Sequence, residues 1–192
     1  MVQQKPSKTN VSLASFLHEF ATYNQWANQR LIDWLMTKPA HVLEQEVASS
    51  FPSLKLTMVH IWDVQRSWLA HLQQVPPPPS FRFEYTGTLE EVWAGFEKQS
   101  KEFTDYVGTL TDESLQELCK FLVPVRWPEW DEFQKTRFEI IQHCLTHSGY
   151  HRGQVITIAR NVGLTDIPMT DYMYYLLLVK DQNTEQGTPI SE

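Results

Sequence analysis

Apolar residues in the first part of the chain recur at intervals of three and four residues, which is the period of an amphipathic α-helix. One such pattern runs over Val11–Met36 and is ended by Pro39. A second runs over Ser53–Val75 and is ended by the four prolines at 76–79, because proline lacks a backbone N–H and restricts the residue before it. These patterns predict two long helices.

The later part of the chain predicts two further long helices. Residues Thr88–Glu91 read TLEE, a capping box in which the first and fourth side chains each accept a hydrogen bond from the other's backbone N–H. The helix that it opens extends to the neighbourhood of Gly108. The last helix is predicted over Phe133–Asn161, with Gly163 placed to adopt the left-handed conformation that commonly ends a helix.

Shorter elements connect and follow these helices. A short helical turn is predicted at Thr111–Leu118 and a final turn at Thr170–Val179. Residues 119–133 mix β-branched residues with prolines, which leaves an irregular connection and a short hairpin as alternatives. Four long helices with almost no strand signal predict an all-α fold. We expect a four-helix bundle with short extra helices and an irregular connection before the last long helix.

Length and composition fit one globular domain. The 192 residues include ten Phe and seven Trp, enough to fill one continuous, aromatic-rich core. We expect this domain over residues 11–180, between a flexible N-terminus at 1–10 and a flexible C-terminus at 181–192. The two cysteines form no CxxC pair, so neither a disulfide framework nor a thiolate zinc site is indicated. Cys144 falls in a helical pattern and is interpreted as a buried thiol.

Charge and hydropathy exclude two classes of partner. The formal net charge of −7 is the opposite of the concentrated basic surface that nucleic acid requires. The first ten residues lack the apolar segment of a signal peptide, and the longest apolar run, Tyr172–Val179, is too short to cross a bilayer. We therefore expect a cytoplasmic protein that binds neither nucleic acid nor membrane.

Histidines are the candidates for chemistry. His143, His147 and His151 recur every four residues on the last helix, and each step advances about 40° beyond a full turn. Two neighbours can therefore reach one metal ion, whereas all three together span too wide an arc. His60 lies among apolar residues of the second helix, where a buried imidazole without a partner is costly. Buried core histidines with no metal remain the plain alternative.

Familiar metal motifs are excluded by what surrounds these residues. The segment HSGYH at 147–151 has no Glu after its first His, so it is not the zincin motif with its built-in base. The chain also lacks the paired Glu and ExxH segments of di-iron bundles. A mononuclear site formed by three neutral imidazoles remains.

Four segments resemble the DinB/YfiT-like family of metal-binding four-helix bundles. The most specific is HSGYHRGQV at 147–155; the others are YNQWAN at 23–28, MVHIWDVQRSWL at 58–69 and IPMTDYMYYL at 167–176. The resemblance covers nearly the whole chain. It implies three metal ligands, which map onto His60, His147 and His151, and it implies a homodimer.

The resemblance also implies two classes of function. Family members of known activity act as metal-dependent thiol S-transferases or hydrolase-like enzymes. We therefore expect a small-molecule substrate, such as a low-molecular-weight thiol, and a metal-bound water or thiolate as nucleophile. Three imidazoles suit zinc or nickel, with iron or copper as alternatives. The rival hypothesis is a non-catalytic, metal-stabilised dimeric module for binding or stress response.

The sequence also suggests roles for two residues near the three ligands. Asp63 lies three residues after His60, within about 60° on the helix, where it could orient an imidazole or act as a base; a solvated or ion-paired carboxylate is the alternative. His143 could supply a hydrogen bond to a ligand or a surface contact.

On the last helix, Tyr150 is expected in the core and Gln154 in an interhelical hydrogen bond. Arg152 is expected in a structural ion pair, with a clamp for an anion as the alternative. Gly149 and Gly153 destabilise a helix interior, so we expect them to allow close approach of a neighbouring helix.

Overall fold

Four long α-helices form where the apolar periodicity predicts them. The computed structural model describes residues 11–81, 85–126 and 129–180, so the predicted flexible segments 1–10 and 181–192 lie outside the described residues. The long helices are α1 (Leu13–Met36), α3 (Leu54–Leu72), α4 (Leu89–Gly108) and α5 (Arg137–Asn161). They pack α1 against α4 and α5, and α3 against α4 and α5, which confirms the all-α four-helix bundle.

Side-chain caps set where these helices begin. Ser12 accepts a hydrogen bond from the backbone N–H of Ser15 at the start of α1, and Ser53 plays the same role for α3. The capping box predicted at Thr88–Glu91 is present at the start of α4. Each cap satisfies an N–H that the first turn would leave without a partner.

Two predicted boundaries were wrong. The second long helix, α3, ends at Leu72 rather than Val75, so it stops before the tetraproline segment. The last helix, α5, begins at Arg137 rather than Phe133, because the preceding residues pair in a strand and Thr136 forms a capping box with Glu139. Its predicted end is confirmed, since Gly163 has a φ of +89°.

The segment before α5 is a hairpin and not an irregular connection. Strand β1 (Leu118–Arg126) pairs antiparallel with β2 (Glu129–Thr136), and Phe121 stands opposite Phe133. Short elements complete the described chain: α2 (Ala40–Leu43), a 3₁₀ turn (Ser114–Gln116), α6 (Tyr172–Tyr175) and a π turn (Leu176–Lys180). Among the described helices, none has the length and apolar character that a bilayer crossing needs.

The apolar interior is divided into two clusters. One includes Leu31, Met58, Phe96 and Ile158, and the other includes Leu17, Leu72, Phe103 and Ile141. Each long helix therefore contributes to both clusters. The cysteines Cys119 and Cys144 are buried, as expected for Cys144, and burial raises the pKa of the Cys144 thiol.

Between the two clusters, each long helix buries polar side chains that form a hydrogen-bonded layer. Arg152 of α5 donates to the amide oxygens of Asn24 and Asn28 on α1. Asn28 donates to Ser100 of α4 (Nδ2–Oγ 3.1 Å), and Ser100 donates to Gln65 of α3 (Oγ–Oε1 3.5 Å). The layer joins all four long helices. Its directional hydrogen bonds therefore fix how the helices are positioned along the bundle axis, which apolar contacts alone do not.

Replacing Asn28 with Ala should lower the free energy of unfolding by about 1–3 kcal/mol, because the change removes one acceptor from a buried guanidinium and the donor to Ser100. Denaturant unfolding measures the effect. Gln29→Ala, on the same helix at a position whose side chain bonds only at the surface to Asp33, is the control. Equal stability of the two variants would show that the layer contributes nothing to the fold.

Candidate metal centre

Three imidazoles meet at the contact between α3 and α5. His60 lies in the first half of α3, and His147 and His151 lie one turn apart on α5. The Nε2 atom of His60 is 3.1 Å from Nε2 of His147 and 3.2 Å from Nε2 of His151. The structure therefore brings together the three residues that the sequence singled out.

These distances fit a shared metal ion. Bonds of roughly 2.0–2.1 Å to a tetrahedral zinc ion place neighbouring ligand nitrogens about 3.3 Å apart. All three ligand nitrogens lie within 4.8 Å of one another. Hydrogen bonding explains the arrangement less completely than a metal ion does, because Nε2 of His60 carries at most one proton and faces two other Nε2 atoms. The histidines can hold a metal ion.

Gln154 orients one of the imidazoles. Its side-chain oxygen lies 2.7 Å from Nδ1 of His151. Because an amide oxygen only accepts hydrogen bonds, the ring carries its proton on Nδ1 and turns the lone pair of Nε2 toward the other two histidines. The predicted interhelical bond of Gln154 was wrong, since its partner lies on the same helix.

Phe51 covers the site from the segment before α3. Its ring stacks on that of His60 at a centroid distance of 4.0 Å and meets the edge of His151 at 5.6 Å. The side chain is only 7% exposed, so it shields the imidazoles from water. Sequence analysis missed this residue, because an aromatic residue in a loop belongs to no helical period that would place it beside His60.

Burial keeps the three imidazoles neutral. Desolvation, with repulsion from neighbouring imidazoles, lowers the pKa of His60 to about 4 and that of His147 to about 3. Burial also lowers the pKa of His151. Near neutral pH the ring nitrogens are therefore free of the second proton and available as ligands.

Asp63 has other partners than the imidazoles. One carboxylate oxygen accepts from Nε of Arg66 at 2.9 Å, and the other accepts from the hydroxyl of Ser80 at 2.6 Å and the backbone N–H of Phe81 at 3.0 Å. Asp63 therefore holds the segment after the prolines against α3. Its charge acts on His60 in the direction that raises the pKa, against the larger effect of burial. Its role as base or orienting group stays a prediction.

His143 lies outside the group of converging nitrogens. Its ring contacts those of Trp68 and His147, with centroids 5.2 Å and 5.7 Å away. Two roles were expected for His143, a hydrogen bond to a ligand or a surface contact, and the contact with Trp68 corresponds to the second.

Two further expectations on α5 were wrong. Tyr150 is 67% exposed rather than in the core, although its ring lies 4.9 Å from that of His151. Arg152 is structural, but the partners described for it are the amide oxygens of Asn24 and Asn28 and the side chain of Tyr23, and not a carboxylate. Its desolvation lowers its pKa, which is the expected effect of burying a cation among neutral partners.

The glycines of α5 do not serve helix packing. A Cβ at Gly153 would meet nothing within 4 Å, and one at Gly149 would meet only the side chain of Arg152, at 3.8 Å. The expected close approach of a neighbouring helix was therefore wrong. Each glycine nevertheless destabilises the helix by about 1 kcal/mol relative to alanine.

The metal-free protein should lose stability as the pH falls from about 6.5 toward 4, because the unfolded chain takes up protons on these histidines before the folded chain does. The contribution of the neutral imidazoles is complete above the unfolded pKa and is lost as the pH falls through the lowered values. Denaturant unfolding across this range should show a smaller loss in His147→Gln than in the wild type. Equal losses would contradict the lowered pKa of His147.

Comparison with known proteins places the chain in a family. The profile of the DinB family matches residues 7–185. Protein DinB of Bacillus subtilis (strain 168) is 25% identical over 175 residues, covering 88% of this chain and 99% of that protein. Uncharacterized protein YizA of the same organism is 26% identical over 149 residues, covering 78% and 89%.

A solved structure has the same fold. The crystal structure of a DinB-like protein from Bacillus cereus ATCC 10987 aligns with a TM-score of 0.63 at 19% identity, covering 83% of this chain and 97% of that one. The match extends over nearly all of the neighbouring chain, which supports the bundle described above. With a family profile matched along most of its length, the chain belongs to the DinB family.

Proposed function

We propose that the chain is a metal-dependent enzyme of the thiol S-transferase or hydrolase type. One divalent ion, zinc or nickel with iron or copper as alternatives, binds at His60, His147 and His151. The observation that carries the proposal is the convergence of three neutral imidazoles, with Nε2 of His60 lying 3.1 Å from Nε2 of His147 and 3.2 Å from Nε2 of His151. Because these three ligands leave coordination positions open, the ion can act on a further molecule.

The charges around the centre favour an anionic reactant. Neutral imidazoles leave the positive charge of a divalent ion uncompensated, because none of the three ligands carries a negative charge. A bound divalent ion would lower the pKa of a coordinated water or thiol. Phe51, whose ring stacks on that of His60, would keep bulk water away from this imidazole.

We further propose a low-molecular-weight thiol as one substrate and a homodimer as the assembled form. Exposed apolar side chains near the C-terminal end of the described chain support a self-association surface: Met169, Met173, Leu177 and Leu178. Such side chains bury readily between two copies of a protein.

The second candidate function is a non-catalytic, metal-stabilised module for binding or stress response. The partners of Asp63 favour it. This carboxylate, three residues from His60, is held by Arg66, Ser80 and Phe81, which makes it less available as a proton acceptor for catalysis.

Purified protein reconstituted with zinc should contain about one ion per chain, and His60→Ala and His147→Ala should each remove it, because two imidazoles rarely hold a structural or catalytic ion. Elemental analysis gives the content, and thermal unfolding should show a metal-dependent rise in Tm only where the ion binds. His143→Ala is the control and should retain the ion. Loss of metal in that control would contradict the assignment of ligands.

The metal-loaded protein should accelerate reaction of a small thiol with chlorodinitrobenzene, in which the thiol loses its proton to solvent, a sulfur–carbon bond forms, the carbon–chlorine bond breaks and chloride leaves with its electron pair. Absorbance of the thioether reports the rate, which should vanish with chelator and in His147→Ala while surviving in His143→Ala. If a panel of thiols and of ester substrates gives no metal-dependent rate, the non-catalytic module is the better account.

A further inference from the structure

A pocket of about 700 Å³ lies between the end of α3 and the outer edge of strand β1. Its volume is within the range of small-molecule sites. His71, which lines this pocket, comes eleven residues after His60 on the same helix, a distance of about 16 Å along the helix axis. The pocket is therefore a different site from the metal centre.

The outer edge of β1 presents backbone groups to this pocket. Lys120 donates its backbone N–H to Oε1 of Gln74 at 3.2 Å, and its carbonyl accepts from Nε2 of Gln74 at 3.3 Å. The backbone groups of Lys120 therefore point away from β2. Because backbone groups alternate between the two edges of an antiparallel strand, the N–H and C=O of Leu122 also point outward. Leu122 lines the pocket.

The alternation is confirmed three residues before Lys120. There the carbonyl of Glu117 accepts from the backbone N–H of Arg137, just beyond the end of β2. Glu117 therefore points toward β2, as a residue at an odd interval from Lys120 must. The outward direction at Leu122 follows from both observations.

The segment that faces Leu122 across the pocket offers it no hydrogen-bond donor. The backbone N–H groups of Gln74 and Val75 both bond to carbonyls of α3. The next four residues, Pro76–Pro79, have no N–H. Within the described part of the chain, no residue outside the hairpin pairs with the backbone of Leu122. The pocket is thus the vacant place beside an open strand edge.

Gln74 shows which group fits this edge. It adopts the left-handed conformation, with a φ of +56°, just after the end of α3. Glycine is the usual residue there, because a side chain makes this conformation unfavourable. The side chain of Gln74 has a use that glycine lacks, since its amide pairs with both backbone groups of Lys120. A ligand amide can pair with Leu122 in the same way.

The edge accommodates one such amide. On one side of Leu122, the backbone of Lys120 is bonded to Gln74. On the other side, the next outward residue is Pro124, which has no N–H. A long peptide strand would therefore gain a complete pair of hydrogen bonds at Leu122 and at neither neighbouring position. This limit favours a small molecule with a single amide.

An apolar wall lies beside the open edge. Phe121 packs against the rings of Trp68 and His71, with centroids 4.9 Å and 5.8 Å away. Val75 and Pro77 complete the apolar lining. A ligand group that packs here must be apolar, because a polar group would lose water without gaining a partner.

A single cation stands at this pocket. Lys120 is the only charged side chain among the described lining residues, since burial lowers the pKa of His71 and keeps its imidazole neutral near pH 7. The ammonium of Lys120 lies 3.4 Å from the carboxylate of Glu132, and both side chains are more than half exposed. Such a surface ion pair is weak, so the ammonium remains available to an anionic group of a ligand.

We propose that this pocket binds an N-acylated apolar amino acid. The ligand amide pairs with the backbone of Leu122, the apolar side chain packs on Phe121, and the carboxylate contacts the ammonium of Lys120. Binding is non-covalent and breaks no bond. Because the pocket is a different site from the three histidines, the proposal does not depend on the proposed function.

Titration calorimetry of the full chain with matched probes tests this proposal. N-acetylphenylalanine carries the amide, the apolar ring and the carboxylate. Hydrocinnamate differs from it only in lacking the acetamido group, and it should bind about tenfold more weakly because it cannot pair with the strand edge. N-acetylphenylalaninamide lacks the negative charge and should bind about threefold more weakly. A chelator should change none of these affinities.

Substitutions at the edge supply the structural arm of the test. Leu122→Pro removes the outward N–H, and proline is tolerated where no ladder bond is lost. It should abolish the preference for N-acetylphenylalanine over hydrocinnamate, whereas Leu122→Ala, the matched control, should keep that preference. Lys120→Gln should abolish the preference for the acid over N-acetylphenylalaninamide. Lys135→Gln, on β2 and outside the described lining, should keep it.

Equal binding of N-acetylphenylalanine and hydrocinnamate, or no saturable binding of N-acetylphenylalanine, would overturn the proposal. Binding that disappears with chelator would place the ligand at the metal centre and would also overturn it. If Leu122→Pro does not fold, N-acetyl-N-methylphenylalanine tests the same hydrogen bonds on the wild type, and binding as tight as that of N-acetylphenylalanine would contradict them. An amide preference lost in Leu122→Pro and kept in Leu122→Ala would establish the pairing.

Discussion

The packing of α3 against α5 forces three imidazole nitrogens toward one point in a desolvated region. Nε2 of His60 stands 3.1 Å and 3.2 Å from its two counterparts, and burial holds the pKa values of His60 and His147 at about 4 and 3. At this distance the three ring nitrogens can share a metal ion. Gln154 and Phe51 hold two of the rings in place around that point.

The buried polar layer extends this constraint through the bundle. Arg152 follows His151 directly and binds Asn24 and Asn28 of α1, so the turn of α5 that carries the ligand is tied to the helix on the other side. From Asn28 the hydrogen bonds continue to α4 and α3. The segments YNQWAN and HSGYHRGQV thus meet in one network, which gives polar residues of the first helix a role that apolar periodicity does not reveal.

Local chemistry explains which features could be predicted from the sequence. Helix periodicity, the capping box at Thr88 and the glycine after α5 depend on near neighbours in the chain, and all were confirmed. The hairpin before α5 was not resolved, because prolines and β-branched residues suit either a strand or a loop. Because the end of this segment was predicted as helix, the capping box of Thr136 and Glu139 was missed as well. The cover by Phe51, the acceptors of Arg152 and the open space at Gly153 arise only from tertiary contacts, so no pattern along the chain indicates them.

A crystal of the protein soaked in zinc, with anomalous scattering recorded at the zinc absorption edge, tests the central claim most directly. The account predicts one strong peak per chain, at roughly 2.0–2.2 Å from the Nε2 atoms of His60, His147 and His151, with Nδ1 of His151 still bonded to Gln154. A peak held by His143, by a cysteine or by Nδ1 atoms, or no peak between α3 and α5, would contradict it.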